Sequence, residues 1–88
     1  KEFSAYNFDH ANTEYLLKIF EIAEKESQSL LEKKLPLPAY DQCLKASHAF
    51  NLLDARGVIG VAERTGYINR IRDLAKGAGS KWLENQEQ

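Results

Sequence analysis

The feature that most restricts this chain is an apolar repeat with steps of three and four residues, interrupted at only two places, Leu35-Pro36-Leu37-Pro38 and Gly57 to Gly60. Such steps keep apolar side chains on one face of an α-helix and cannot serve a strand, whose faces alternate every second residue. The fold class is therefore all-α. Helices joined by short connections lie antiparallel to their neighbours, so the expected architecture is a three-helix antiparallel bundle with an extended N-terminal lead-in.

The lead-in covers residues 1–8 and carries Phe3, Tyr6 and Phe8 as aromatic tethers. Asp9 is a fair N-cap for a first helix at about 9–34, because its carboxylate can accept from the free amides of the first turn. Leu16, Phe20, Ala23, Ser27 and Leu30 make its apolar stripe, widened by Ile19 and Leu31, while Lys18, Glu21, Lys25, Gln28 and Glu32 point away. The two prolines are expected to stop it, since each lacks an amide donor and biases the residue before it toward extended geometry. Pro38 suits the first turn of a second helix at about 38–56. There Ala39, Cys43, Ala46, Phe50 and Leu53 form the stripe, with Asp41 and Lys45 as an acid-before-base pair on the other side. Gly57 is predicted as the left-handed residue ending that helix, with Val58 folding back onto Leu52 or Leu53. A third helix at about 61–83 begins behind Gly60, whose amide Glu63 can reach as half of a capping box. Its stripe is Val61, Ile68, Ile71, Ala75, Ala78 and Trp82, flanked by Tyr67 and Leu74. Gly66, Gly77 and Gly79 each cost about 1 kcal/mol against alanine in a helix interior, so the final turns are expected to fray.

At 88 residues and 43% apolar content the chain supports one core, hence a single helical domain over 1–88. It contains no methionine, even at position 1, which suggests that Lys1 is not a natural start and that the stretch belongs to something longer. Charged residues interrupt every helix-sized window, leaving no signal peptide or membrane span, and the default compartment is cytoplasmic. Lone Cys43 cannot form an internal disulfide, which agrees with a reducing compartment. The net charge of −1 argues against a dedicated polyanion binder. It is unevenly spread, however: residues 42–88 hold all four arginines and form the basic half.

Lys45, His48 and Arg56 are spaced for the outward side of the second helix, and Arg70, Arg72 and Lys76 continue the positive charge on the third. Surfaces of this kind neutralise a phosphate backbone, although solvated helix faces often carry such residues with no ligand. Arg64, inside an apolar stripe, calls for a partner, and Asp54 across the glycine turn is the nearest carboxylate. Snorkelling to water and a ligand-binding role are the alternatives. His10, Cys43 and His48 are the soft ligands and none are spaced for a metal. Cys43 sits on the apolar stripe as a small core residue, and no apolar-embedded carboxylate pair suggests acid and base roles. Catalytic residues and cofactors are therefore expected to be absent from this stretch. Gly57, Gly60 and Arg64 faintly echo a nucleotide-site motif, with the wrong glycine spacing. Ala62-x-x-x-Gly66 before Tyr67 mimics the turn of a DNA-binding helix-turn-helix, but the apolar stripe runs unbroken across Gly66.

The string Leu44-Lys45-Ala46-Ser47-His48-Ala49-Phe50-Asn51-Leu52-Leu53-Asp54-Ala55-Arg56-Gly57 resembles the C-terminal helical region of the alpha chain of bacterial two-subunit glycyl-tRNA synthetase. Tyr6-Asn7-Phe8-Asp9-His10-Ala11, Leu35-Pro36-Leu37-Pro38-Ala39-Tyr40, and Glu63-Arg64 followed by Tyr67-Ile68-x-Arg70-Ile71-Arg72 extend the likeness from about Phe3 to Leu74. Where the family usually shows Ser-Val-Thr-Glu-Arg, this chain has Gly60-Val61-Ala62-Glu63-Arg64, so the hydroxyl N-cap is missing. Beyond Lys76 the likeness fades. The resemblance implies a class II subunit that activates glycine with ATP and magnesium. With the beta chain it would charge tRNA(Gly) in a tetramer of two alpha and two beta chains. No Phe-Arg-x-Glu segment or correctly spaced glycine-arginine motif is present, so no catalytic residue carries over. The implied role of this stretch is binding: Lys45, His48, Arg56, Arg70 and Arg72 meeting tRNA phosphates, an apolar edge docking the beta chain or the catalytic domain, or both.

Overall fold

A computed structural model describes residues 13–87. Its three helices are α1 (Thr13–Glu32), α2 (Pro36–Ala55) and α3 (Val61–Glu87), with no strand among the described residues. The expected lead-in at 1–8, the Asp9 cap and His10 lie outside the described residues. Along α1 and α2 the pairing is antiparallel: Leu16 clusters with Leu53, and Phe20 and Ala23 with Ala46, Ala49 and Phe50. At the other end of the pair the Ser27 hydroxyl donates to the Ala39 carbonyl at 2.8 Å. α3 then returns along α2, antiparallel to it, and travels beside α1 in the same direction. Its residues Arg70, Gly77 and Asn85 meet Glu24, Leu31 and Lys34 in turn.

α2 is the central helix, packed along most of its length on α1 and on a second side by α3. Two-sided burial explains why its buried residues include Pro36, Ala39, Cys43, Ala46, Ala49, Phe50 and Leu53, a wider set than one stripe. Three of them are alanines, and with Ala23 and Ser27 across the interface they let the helix axes approach closely. The buried Ser27 would be costly if unpaired, and the Ala39 carbonyl satisfies it. Cys43 is buried too, its thiol a weak donor to the Ile71 carbonyl at 3.6 Å. Burial pushes that thiol above its ordinary pKa, the reverse of what a nucleophile needs.

The connections depart from the sequence expectation in ways that have physical causes. α1 is stopped by its own backbone before the prolines. Lys34 takes φ 60°, the Leu35 amide donates to the Leu30 carbonyl at 2.9 Å, and the Lys34 amide donates to that of Leu31 at 3.0 Å. Those are the paired bonds of a Schellman end, with lysine where glycine is usual. Both prolines belong to α2, which starts at Pro36 and not at Pro38. Amides in a first helical turn have no intrahelical acceptor, so prolines there forfeit nothing.

Gly57 has φ 71° and ends α2, its amide donating to the Asp54 carbonyl at 3.0 Å. Ile59, not Val58, returns to the Leu16 and Leu53 cluster, and Val58 is left exposed. α3 continues to Glu87, past the expected end near residue 83, and without a break at Gly66, which removes the helix-turn-helix alternative. Its buried face is rotated from the expected stripe. Leu74 and Ala78 are buried, with Tyr67, Ile68 and Ile71 packed on the core, whereas Val61 is 88% exposed and Trp82 46%. The face is set by what α1 and α2 offer together, and a stripe counted along α3 alone cannot see that.

The three glycines of α3 are not equivalent. A Cβ on Gly66 or Gly79 would meet nothing within 4 Å, but one on Gly77 would stand 2.8 Å from Leu31 Cδ1. Gly66→Ala and Gly79→Ala should each stabilise the fold by about 1 kcal/mol. Gly77→Ala should deliver less than that, and Gly77→Leu should destabilise; urea melts of the three series check the order. At the other special position, Lys34→Gly relieves a left-handed side chain and should add about 0.5 kcal/mol once the entropy of glycine in the unfolded chain is deducted. The same melts test it, with Lys34→Ala, which keeps the strain, showing no such gain.

Candidate functional site

The turn between α2 and α3 is built from Asp54, Gly57, Gly60, Glu63 and Arg64. The Gly60 amide donates to Glu63 Oε1 at 3.1 Å, and the Arg64 amide donates to the Gly60 carbonyl at 2.8 Å, opening α3. Arg64 Nε donates to both Asp54 oxygens, at 3.1 Å to Oδ2 and 3.3 Å to Oδ1. The ion pair joins the two helix ends, but Arg64 is exposed and not embedded in an apolar face as its position in the stripe had implied. At that exposure the pair contributes about 0–1 kcal/mol.

Arg70 is occupied inside the domain. Its Nε donates to Glu24 Oε2 at 2.8 Å and its Nη2 to Glu24 Oε1, a two-point fork between α3 and α1. The same guanidinium lies 4.8 Å from the Phe20 ring centroid and 5.1 Å from that of Tyr67. Tyr67 meets Phe20 edge-on at 5.0 Å and Phe50 at 5.7 Å, so Arg70 caps an aromatic cluster joining all three helices. The fork lowers the Glu24 pKa, chiefly through the Arg70 hydrogen bonds. Glu24 was not singled out by sequence reasoning. Its flanking position, four residues after Phe20, was legible, but a partner 46 residues away was not.

The remaining basic candidates do not form one patch. Lys45 and His48 are exposed on α2, and Asp41 makes no ion pair with Lys45. Arg56 is not on the outward face: it is the C-cap of α2 and partly buried. Its Nε and Nη1 are shut from solvent, with no hydrogen-bond partner among the described residues. Arg72 is exposed at the seam of α2 and α3, in a notch it shares with Ser47, Phe50, Asn51, Arg64, Ile68 and Ile71. Farther along that seam Pro36, Leu37, Tyr40, Ala75, Ala78, Gly79 and Trp82 line an uncharged groove. Leu37, Tyr40 and Trp82 there, with Leu44 beside them, are large and exposed.

No cluster of three or more His, Cys, Asp or Glu side chains able to hold a metal occurs among the described residues. No described helix is long and apolar enough to cross a membrane.

The Glu24 and Arg70 fork should make the fold acid-sensitive. Because Glu24 titrates lower folded than unfolded, its contribution is present above the ordinary carboxylate pKa and is lost as pH falls through the depressed value. Glu24→Gln should cost about 0.5–1 kcal/mol at neutral pH and should flatten the acid limb of a stability-against-pH curve. Arg70→Ala should cost more, about 1–2 kcal/mol, since the ring contacts go too.

Compared with known families, the chain matches the model described as glycyl-tRNA synthetase alpha subunit over residues 1–87. That span includes the helix, glycine turn and helix from Ala39 to Arg72 and every residue placed above, and the chain belongs to the glycyl-tRNA synthetase alpha subunit family.

Proposed function

We propose that this helical domain is a binding module of a glycine tRNA ligase, meeting the tRNA backbone with α2 and with the α2–α3 seam. Membership in an alpha-subunit family makes the chain part of an aminoacyl-tRNA synthetase that works with a beta chain and tRNA. The observation that carries the RNA role is that Lys45, His48 and Arg72 are exposed and in no ion pair among the described residues, while Arg70 is consumed by Glu24. Unpaired cations such as Lys45 and Arg72 release counterions from phosphates and bind without reading sequence, and the His48 imidazole adds a hydrogen-bonding group one helical turn from Lys45. Arg56 joins only through Nη2, because its other two nitrogens are shut in.

A second role rests on its own observation. Leu37, Tyr40, Leu44 and Trp82 form an uncharged, exposed face of the kind that subunit contacts bury, and it fits the beta chain or the catalytic part of the alpha chain. On this reading the enzyme is a class II synthetase of two alpha and two beta chains in the cytoplasm, charging tRNA(Gly). ATP, magnesium and glycine would be handled elsewhere in the alpha chain. We assign no chemical step to this stretch, because it carries neither a Phe-Arg-x-Glu segment nor a correctly spaced glycine-arginine motif.

The test uses the assembled alpha and beta enzyme. Lys45→Ala with His48→Ala should weaken tRNA(Gly) binding two- to fivefold and reduce the salt slope of log K by about 1. Leu44→Glu with Trp82→Ala should weaken subunit assembly. Unchanged tRNA affinity and salt slope in the first variant would remove the exposed face of α2 from the RNA role, and with an unchanged Arg72→Ala variant as well would leave docking as the function.

A further inference from the structure

We infer that the notch of Ser47, Asn51, Arg64 and Arg72 between α2 and α3 is a discrete site for the ribose-phosphate backbone of an RNA strand. The inference rests on the RNA-binding reading above and gives it a location. Four observations lead to it. First, two guanidinium side chains line one notch and no carboxylate does. Second, Arg64 makes both of its bonds to Asp54 through Nε, which leaves the two Nη groups without a partner among the described residues. Third, Arg72 has no ion pair there at all. Fourth, the α2 wall supplies the neutral groups Ser47 and Asn51, and the floor is the apolar surface of Phe50, Ile68 and Ile71.

The chemistry selects among ligands. Asp54 occupies only Nε of Arg64, so the Arg64 Nη groups and the Arg72 guanidinium remain as donors with no anion on them among the described residues, and a phosphate in the notch would supply one. Guanidinium forks match the two oxygens of a phosphate. Arg64 and Arg72 are eight residues apart, about 12 Å along the helix axis, so they address two points of an extended polyanion and not one small ion. Between them the Asn51 amide and Ser47 hydroxyl can each donate and accept, as a ribose hydroxyl between phosphates requires. The adjoining groove from Pro36 to Trp82 has no charged lining residue and cannot neutralise a backbone. That confines the polyanion to the end of the seam near the glycine turn.

Arg72 can be altered without disturbing the fold, because it is exposed and holds no ion pair among the described residues. In the assembled synthetase, Arg72→Ala should weaken tRNA(Gly) binding about five- to tenfold and lower the salt slope by about 1, with an unchanged melting curve. Arg72→Lys should restore the slope and only part of the affinity. Asn51→Ala should weaken binding about two- to threefold with the slope unchanged, since it removes a neutral contact. If Lys45→Ala with His48→Ala weakens tRNA binding but the Arg72 and Asn51 variants do not, the notch assignment is wrong and the wider RNA reading stands. If none of these variants moves tRNA affinity, both fall. Should Arg72→Ala spare tRNA but impair assembly with the beta chain, the notch receives a protein carboxylate and the assignment is overturned.

Discussion

Everything in this domain depends on α2 being buried on two sides. A central helix must present small residues wherever a neighbour's backbone comes close, and the α1–α2 contact does so with Ala46 and Ala49 facing Ala23, and with Ala39 bonded to Ser27. Larger side chains there would part the helices and uncover Phe20 and Leu53, which are fully buried and contribute about 1.5–3 kcal/mol each. The rest of the architecture follows from that spacing. With α1 and α2 close together, α3 lies along their shared seam and needs only Leu74, Ala78 and a row of half-buried residues to seal it.

α3 meets α1 along a narrower strip than it meets α2, and polar contacts do much of the joining there. The Arg70 fork on Glu24 lies above the Phe20 and Tyr67 rings, Gly77 gives room to Leu31, and Asn85 donates to the Lys34 carbonyl at 3.1 Å. The last of these ties the far end of α3 to the left-handed turn that closes α1. One consequence is functional. A cation enlisted to hold helices together is withdrawn from phosphate binding, so the basic half of the chain offers fewer free charges than its composition implies.

The division of the α2–α3 seam has the same origin. Near the prolines the two helices face each other with uncharged residues, from Leu37 and Tyr40 to Trp82. Near the glycine turn they do so with Ser47, Asn51, Arg64 and Arg72. One seam thus carries two surfaces of different chemistry.

Much of this was legible in the residues. The steps of three and four placed Leu16, Phe20, Ala23, Ser27, Ala39, Cys43, Ala46, Phe50 and Leu53 in the interior, where they are. Gly57 as a left-handed cap and the Asp54 and Arg64 pairing came from local spacing across a short turn. Periodicity and capping are local, and a window of one helix contains what they need. The rotated face of α3, the Glu24 partner of Arg70, the inward turn of Arg56 and the union of Asn51 with Arg72 are relations between helices. They depend on distances between axes that no single helix encodes. Lys34 makes the point from the other side: nothing in a lysine announces a left-handed turn, and the chain adopts one because Leu35 and the prolines must start α2 where it can lie against α1. The sequence by itself determined three helices, their order and most of the core, because those follow from the spacing of side chains along one axis. Only the tertiary structure decided which cations remain free to bind, because that depends on which carboxylates the packing brings within reach.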